Sequence, residues 1–151
     1  MRFNLEIRNI GGVKRIILPM FSRYPRSFGR VEAIIDTGAP KTIPSARDAV
    51  KLNIPFTNFE SATPLTGLGK GKTPVLLINN FIFSLRDSKG NPNSFSMTIL
   101  VVDVPRIRKE SQEALNNAAT IPTLIGLDFL ENNNLDLFIS TNKNTAYLEK
   151  I

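Results

Sequence analysis

One aspartate follows directly on an apolar strand in the first third of the chain. The stretch 33–39 reads AIIDTGA, so that Asp36 ends the apolar run and a threonine and a glycine follow it. A carboxylate presented at the end of a strand can act as a general base or acid on a bound substrate. The same residues could also form a simple Asx turn, with the aspartate accepting backbone N–H groups and the glycine allowing positive φ.

The composition removes most other catalytic sites. The chain has 151 residues with 0 His and 0 Cys. Ser-His-Asp triads, Cys-His nucleophiles, His-ligated zinc and thiolate metal sites are therefore impossible within one chain. Carboxylate chemistry remains, together with lysine-based and N-terminal nucleophiles.

A second run, 122–130 (PTLIGLDFL), again carries two aliphatic residues into a glycine. With the Asp-Thr-Gly of residues 36–38 and a threonine at position 42, it resembles the retropepsin-like aspartic peptidases. The resemblance covers about residues 28 to 140. Pro40 departs from it, because many relatives carry a polar residue there.

The resemblance implies a role for each matching residue. Asp36 would be the catalytic carboxylate, Thr37 would bond across a dimer axis, and Gly38 would let the substrate pass close to the backbone, with Ala39 beside them. A structural loop would pass beneath these residues, and it would be formed by Leu124, Ile125 and Gly126.

A single Asp-Thr-Gly supplies half of a catalytic pair. The resemblance therefore implies a homodimer in which each subunit contributes Asp36, acting on a polypeptide substrate without metal or organic cofactor. Two carboxylates held close together cannot both ionise, so the pair shares one proton and can act as base and acid together. Aspartic proteases are the standard example of this arrangement, and the mechanism is taken from them.

The glycine-rich stretch 64–74 (PLTGLGKGKTP) separates two predicted strands. By position it resembles the flap that closes over substrate, with Gly67, Leu68 and Gly69 at its tip; the alternative is a plain hairpin. Its glycine spacing matches neither dinucleotide-binding nor P-loop patterns, and no helix follows it. The side chains expected to line apolar subsites are Ile34, Leu68, Ile99 and Leu124.

Alternating apolar and polar residues predict a mostly β protein. Strands are expected near residues 2–8, 13–20, 30–36, 74–85, 94–104, 121–125, 135–140 and 145–150. Helices are expected at 45–51, 127–132 and 105–117. We therefore expect one retropepsin-like aspartic peptidase domain over residues 1–151. Its fold would be a closed β-barrel, the acid protease fold with one lobe per chain, and it would carry one to three short helices.

The remaining aspartates are assigned structural roles. Asp128 lies near a helix start, where a carboxylate stabilises exposed N–H groups and the helix dipole. The other four lack a Thr-Gly context and are expected on the surface or in turns: Asp48, Asp87, Asp103 and Asp136.

The net charge of +6 raises a nucleic-acid-binding alternative. The basic residues are scattered and form no stripe with aromatic residues, so no nucleic-acid partner is expected, although affinity for anionic partners stays open. No apolar run reaches the roughly 20 residues that span a bilayer, and the first residues alternate, unlike a signal peptide. A cytoplasmic protein with no membrane association is expected. A second alternative keeps the fold but lacks catalysis, as a peptide-binding or assembly module.

The chain ends are expected to serve the dimer. Residues 3–7 and 146–151 alternate as half-buried strands, and a strand at a terminus leaves an edge that a symmetric partner can cover. The alternative is that these two strands pair within one subunit.

Overall fold

The structure is a computed structural model that describes residues 1–24, 27–66 and 72–151. Its strands are β1 (Arg2–Ile10), β2 (Val13–Tyr24), β3 (Ser27–Ile35), β4 (Glu60–Ser61), β5 (Leu65–Thr66), β6 (Lys72–Thr73), β7 (Val75–Arg86), β8 (Pro92–Val102), β9 (Leu124–Ile125), β10 (Leu135–Ser140) and β11 (Thr145–Lys150). Its helices are α1 (Ala46–Lys51), α2 (Val104–Glu110), α3 (Gln112–Ala119) and α4 (Leu127–Asn132), with one 3-10 turn at Phe56–Asn58.

Nine strands form one sheet that branches at β2. Along its main path the order is β10-β11-β1-β2-β3-β9. One side of β2 pairs with β3 from Ile17 to Tyr24, whereas the other side pairs first with β1 and then with β7. Pro19, which has no backbone N–H to donate, lies between the residues that pair with β1 and those that pair with β7. A proline is tolerated at this point because the ladder on that side is interrupted.

The described strand ladders do not close into a ring. Within residues 1–24, 27–66 and 72–151, β10 and β9 end the main path and β8 pairs only with β7. The backbone hydrogen bonds thus form an open, branched sheet and not the closed barrel that was expected. The mostly β architecture is as predicted.

The core joins the sheet to α4. Phe129 of α4 is fully buried and makes edge-to-face contacts with Phe83 and Phe95, at centroid distances of 5.5 Å and 5.8 Å. Phe95 in turn contacts Phe3 of β1. Each such buried side chain contributes about 1.5–3 kcal/mol through the hydrophobic effect alone. These contacts fix the position of α4 against the sheet.

The helix predicted over 105–117 is two helices. The chain breaks at Ser111, whose backbone is extended (φ −169°, ψ 159°) and whose hydroxyl accepts a hydrogen bond from Ala114 N. Serine favours such a cap because its side chain replaces a missing backbone partner. The strand predicted over 121–125 is also shorter, since only Leu124 and Ile125 pair with β3.

The two terminal strands pair with each other inside the subunit. β1 is antiparallel to β11, with Arg2 opposite Glu149 and Leu5 opposite Ala146. The other side of β11 pairs along its whole length with β10. The prediction that residues 3–7 and 146–151 offer free edges to a partner is therefore wrong; among the described residues, β10 is the edge strand of this end of the sheet.

No helix in the described part of the chain is both long and apolar enough to cross a membrane.

Candidate active site

Asp36 lies at the exposed start of a loop that leaves the buried strand β3. Ala33 and Ile35 of β3 are buried, whereas Asp36, Thr37 and Gly38 are exposed. Burial ends at Asp36 because the apolar pattern of β3 stops there and the next residues are polar or small. The carboxylate is therefore carried on a rigid strand and presented to solvent.

Local hydrogen bonds orient the Asp36 carboxylate. Gly38 N donates to Asp36 Oδ1 at 2.9 Å, and Ala39 N donates to the Asp36 carbonyl at 3.0 Å. One carboxylate oxygen is thus occupied by the backbone, which leaves Oδ2 for a substrate or a second carboxylate. Asp36 forms an Asx turn and is also the candidate catalytic residue. The two interpretations therefore do not exclude each other.

The segment around β9 supports the Asp36 loop from below. Asp36 N donates to the Ile125 carbonyl at 3.0 Å, and Ile34 N donates to the Thr123 carbonyl at 2.9 Å. Farther along, Leu124 and Ile43 exchange two backbone hydrogen bonds. Both sides of the loop that bears Asp36 are therefore tied to β9, which is itself buried at Ile125.

Gly126 lies against the backbone of the Asp36 loop. A Cβ atom at this position would lie 2.6 Å from the carbonyl carbon and oxygen of Lys41 and 2.7 Å from the Ala39 carbonyl oxygen. The φ of Gly126 is −91°, so the glycine is required by space and not by its backbone conformation. Leu127 N then donates to the Ala39 carbonyl at 2.9 Å, which attaches the start of α4 to the same loop.

Thr42 connects the two loops through its side chain. Its hydroxyl is completely buried, accepts from Gly126 N at 3.0 Å and donates to Asp128 Oδ1 at 2.7 Å. Asp128 also accepts from Phe129 N at 2.8 Å. Asp128 is therefore a positioning group at the start of α4, as its sequence context predicted.

Replacing Thr42 by Val should lower stability, because valine keeps the shape but leaves the buried Gly126 N–H without a partner. We expect the free energy of unfolding to fall by about 1–3 kcal/mol. The matched control is Thr42→Ser, which retains the hydroxyl and should lose less. Urea unfolding followed by circular dichroism measures both; an equal loss in the two variants would show that packing and not the hydroxyl matters.

Thr123 makes a similar connection on the other side of β9. Its buried hydroxyl accepts from Ser45 N at 2.8 Å and donates to Asp48 Oδ2 at 2.5 Å. Asp48, expected on the surface or in a turn, is half-buried and belongs to this network. The Ser45-x-x-Asp48 spacing signals a helix cap, but Thr123, which lies between the two side chains, could not be identified from local sequence.

An ion pair near the site joins β3 to β1, which lies on the far side of β2. Glu32, four residues before Asp36, accepts from Arg8 Nη1 at 2.7 Å, and this bond holds the pKa of the Glu32 carboxyl below its usual range. Among the described residues, no group of three or more acidic side chains is arranged to hold a metal ion.

The other predicted site residues are only partly described. Thr37 is exposed. Gly67, Leu68 and Gly69 lie outside the described residues; the strands on either side, β5 and β6, pair antiparallel as a hairpin requires. Ile99 is buried in the core, whereas Ile34 and Leu124 are half-buried.

No protein-family model matches the sequence, and no curated protein sequence matches it significantly. Solved structures do match it. A retropepsin-like aspartic protease from Rickettsia conorii is 18% identical, with a TM-score of 0.58 over 99% of this chain and 92% of that one. The EIAV protease complexed with the inhibitor HBY-793 is 14% identical, with a TM-score of 0.50 over 87% of this chain and 100% of that one. The chain therefore has the retropepsin-like fold, which confirms the predicted fold class.

Proposed function

We propose that the protein is an aspartic endopeptidase that acts as a homodimer with one Asp36 from each subunit. The observation that carries this proposal is the exposed Asp36, which the backbone holds by one oxygen at the end of a buried strand in a retropepsin-like fold. One chain supplies one such carboxylate. A two-fold axis beside Asp36 would bring the second carboxylate from an identical chain.

In this mechanism the two Asp36 carboxylates share one proton and hold a water molecule between them. The ionised member removes a proton from the water as it attacks the peptide carbonyl, and the protonated member gives its proton to the departing nitrogen. The Gly38 N–H keeps the carboxylate oriented, and Thr37 would bond across the axis. An extended substrate would pair its backbone with the hairpin of β5 and β6, whose tip would carry Gly67, Leu68 and Gly69.

The main alternative is a module of the same fold that binds peptides or assembles without cleaving them. The intact Asp-Thr-Gly at 36–38 and the supported loop favour catalysis, because a binding module needs neither. The direct test incubates the purified protein with an unfolded carrier protein such as casein, with and without a pepstatin-type inhibitor. We expect cleavage that the inhibitor abolishes. Binding without cleavage, or cleavage that is indifferent to the inhibitor, would contradict the proposal.

Activity should depend on pH with a maximum on the acid side of neutrality. It requires the singly protonated pair, so it should fall when both carboxyls are protonated and again when both ionise. The lack of His simplifies interpretation, since no side chain type here has a reference pKa between about 5 and 8. Turnover measured from about pH 3 to 9 tests this; a rate still rising from pH 7 to 9 would contradict the pair.

The pH profile needs a folding control. The pKa of Glu32 is lowered by its bond to Arg8. A lowered carboxyl pKa contributes stability above the unfolded-state value, and that stability is lost as pH falls through the folded-state value. Circular dichroism at each pH therefore separates loss of the catalytic pair from acid unfolding.

A further inference from the structure

One face of the β2–β3 hairpin alternates phenylalanine with arginine. Phe21 lies opposite Arg30 in the ladder, and Arg23 lies opposite Phe28. Residues that face each other across a ladder are on the same side of the sheet, so these four side chains form one surface. Arg23, Phe28 and Arg30 are exposed and Phe21 is half-buried, whereas Met20 on the opposite side is buried. We refer to Phe21, Arg23, Phe28 and Arg30 as the aromatic–arginine face.

The two phenylalanine rings of this face are stacked. Their centroids are 5.2 Å apart and their planes differ by 6°. Phe28 is nevertheless 66% exposed, more than any other phenylalanine of the described residues. Phe21 therefore fixes the orientation of a ring that remains largely open to solvent. A flat ring held in this way offers a surface on which another aromatic ring can stack.

The two arginines carry positive charge that the protein neutralises only weakly. No carboxylate of the described residues lies within ion-pair distance of Arg23. Arg30 approaches Glu32 at 3.7 Å, but that carboxylate already accepts from Arg8 at 2.7 Å. Exposed guanidinium groups without a close partner are suited to bind an external anion, and a guanidinium can bind phosphate through two parallel hydrogen bonds.

A small cavity adjoins the aromatic–arginine face where the sheet branches. It has a volume of about 230 Å³ and lies beside Pro19, between strands β1, β2 and β7. Phe21 and Arg30 line it, together with Ser84, which lies opposite Phe21, and with a third arginine, Arg86. Buried apolar side chains form the rest of its wall: Phe3, Leu18, Met20 and Leu85. The cavity is smaller than the pockets of about 300–1,000 Å³ that take drug-sized ligands, so it suits a single planar ring.

We propose that the aromatic–arginine face binds single-stranded nucleic acid, with a base stacked on Phe28 and phosphates held by Arg23 and Arg30. Proteins bind single strands by stacking bases on aromatic side chains and placing cationic side chains along the backbone. Exposed aromatic residues on the strands of a sheet bind RNA in this manner. The net charge of +6 also favours a polyanion. Strand pairing thus creates a stripe of basic and aromatic residues that was not expected from the sequence.

Other anionic partners match this face less completely. An element that lies on a membrane separates its apolar and charged side chains onto opposite sides, whereas here rings and guanidinium groups alternate on one side. An acidic peptide could pair with Arg23 and Arg30 but would leave the Phe28 ring unused. A duplex keeps its bases stacked inside. A single strand offers both negative charge and open bases, so it uses the whole face.

The aromatic–arginine face is remote from the candidate active site. Phe28 and Asp36 are eight residues apart, at opposite ends of β3. At about 3.3 Å per residue, the strand separates them by about 26 Å. A strand bound at Phe28 would therefore leave Asp36 accessible. The proposal does not depend on the peptidase activity proposed above.

The test uses fluorescence anisotropy with a labelled oligothymidylate of about 12 nucleotides, a length in the usual range for such sites. Phe28→Ala should raise the dissociation constant by about tenfold or more, because the stacking of one base is lost. Arg23→Gln combined with Arg30→Gln should weaken binding and reduce its salt dependence. The slope of log K against log salt should fall by about 1.4, since each phosphate contact on a single strand contributes about 0.7.

Arg106→Gln combined with Arg108→Gln is the matched control. Both arginines are exposed on α2, so this variant loses the same charge from another part of the surface and should keep the wild-type salt slope. All the changed side chains are exposed, so folding should be unaffected, and urea midpoints check this. Unlabelled duplex of the same length and vesicles containing phosphatidylserine are added as competitors, and both should displace the labelled strand poorly.

Each result decides for or against the proposal. Binding that Phe28→Ala and the Arg23, Arg30 double variant weaken, and that the control keeps, supports it. No binding at low salt, or binding that Phe28→Ala leaves unchanged, overturns it. An equal loss in the control would show a general attraction to positive charge and would also overturn it, as would efficient competition by duplex or vesicles. Casein cleavage should be the same in all these variants, so failure of this proposal leaves the peptidase proposal intact.

Discussion

Asp36→Asn should abolish peptide hydrolysis while the chain remains folded. The side-chain amide oxygen of this variant can still accept the Gly38 N–H that Asp36 Oδ1 accepts, so the loop keeps its conformation. The amide cannot take a proton from water or pass one to the departing nitrogen. General acid–base catalysis contributes about 10²–10⁴-fold, so we expect turnover to fall by at least that factor, with an unchanged urea midpoint.

Asp103→Asn is the matched control for this variant. Asp103 lies at the start of α2, where its carboxylate accepts from Arg106 N, and asparagine caps helices as well as aspartate does. The turnover of the control should equal that of the wild type. Wild-type turnover in Asp36→Asn would refute the mechanism.

Mixing variants tests whether the two carboxylates come from different chains. In an exchanged, equal mixture of wild type and Asp36→Asn, about half of the wild-type subunits have a variant partner. Turnover per wild-type subunit should therefore fall to about half if both carboxylates are required. An unchanged value would indicate that each chain works alone.

Gly126→Ala should impair both stability and turnover. The added Cβ would lie 2.6 Å from backbone atoms of Lys41 and 2.7 Å from the Ala39 carbonyl oxygen. Backbone cannot rotate aside as a side chain can, so the loop that carries Asp36 must shift. Overpacking of this kind costs about 1–3 kcal/mol or more, and a displacement of about 1 Å at a catalytic group can cost about 10²-fold in rate.

Gly29→Ala is the comparison for this effect. Its Cβ would also be close to a neighbour, at 2.8 Å, but that neighbour is a terminal methyl carbon of the Leu52 side chain, which can move. We expect a small loss of stability and near-normal turnover. Urea midpoints and rates measured on both variants decide the matter, and a fully active, fully stable Gly126→Ala would show that the loop tolerates the shift.

The regular elements could be predicted because local patterns determine them. The run 127–132 forms α4 with the predicted bounds, and the alternation of residues 135–140 and 145–150 marks β10 and β11. The Asp36 loop was recognisable through the resemblance of its Asp-Thr-Gly to the retropepsin-like pattern, because the residues alone fit an Asx turn equally well. In these cases composition over a few residues carries the information.

Contacts between distant segments could not be predicted in the same way. The bond from Thr123 to Asp48 joins residues 75 apart, and no local feature of the sequence indicates that these two side chains meet. The same limit explains the error at the termini. Alternation in β1 and β11 indicates that both are strands, but it does not indicate which strand lies beside which.

The long separations also govern how the subunit folds. Arg2 pairs with Glu149, and Ile34 pairs with Leu124 beside Asp36. Contacts so distant along the chain form late, because closing large loops costs entropy before any bond compensates for it. During synthesis the Asp36 loop has no support until residues 124–126 have emerged, and β1 has no partner on one side until β11 follows. A nascent chain that stops short of these residues therefore carries its candidate catalytic residue in a loop without its supporting strand.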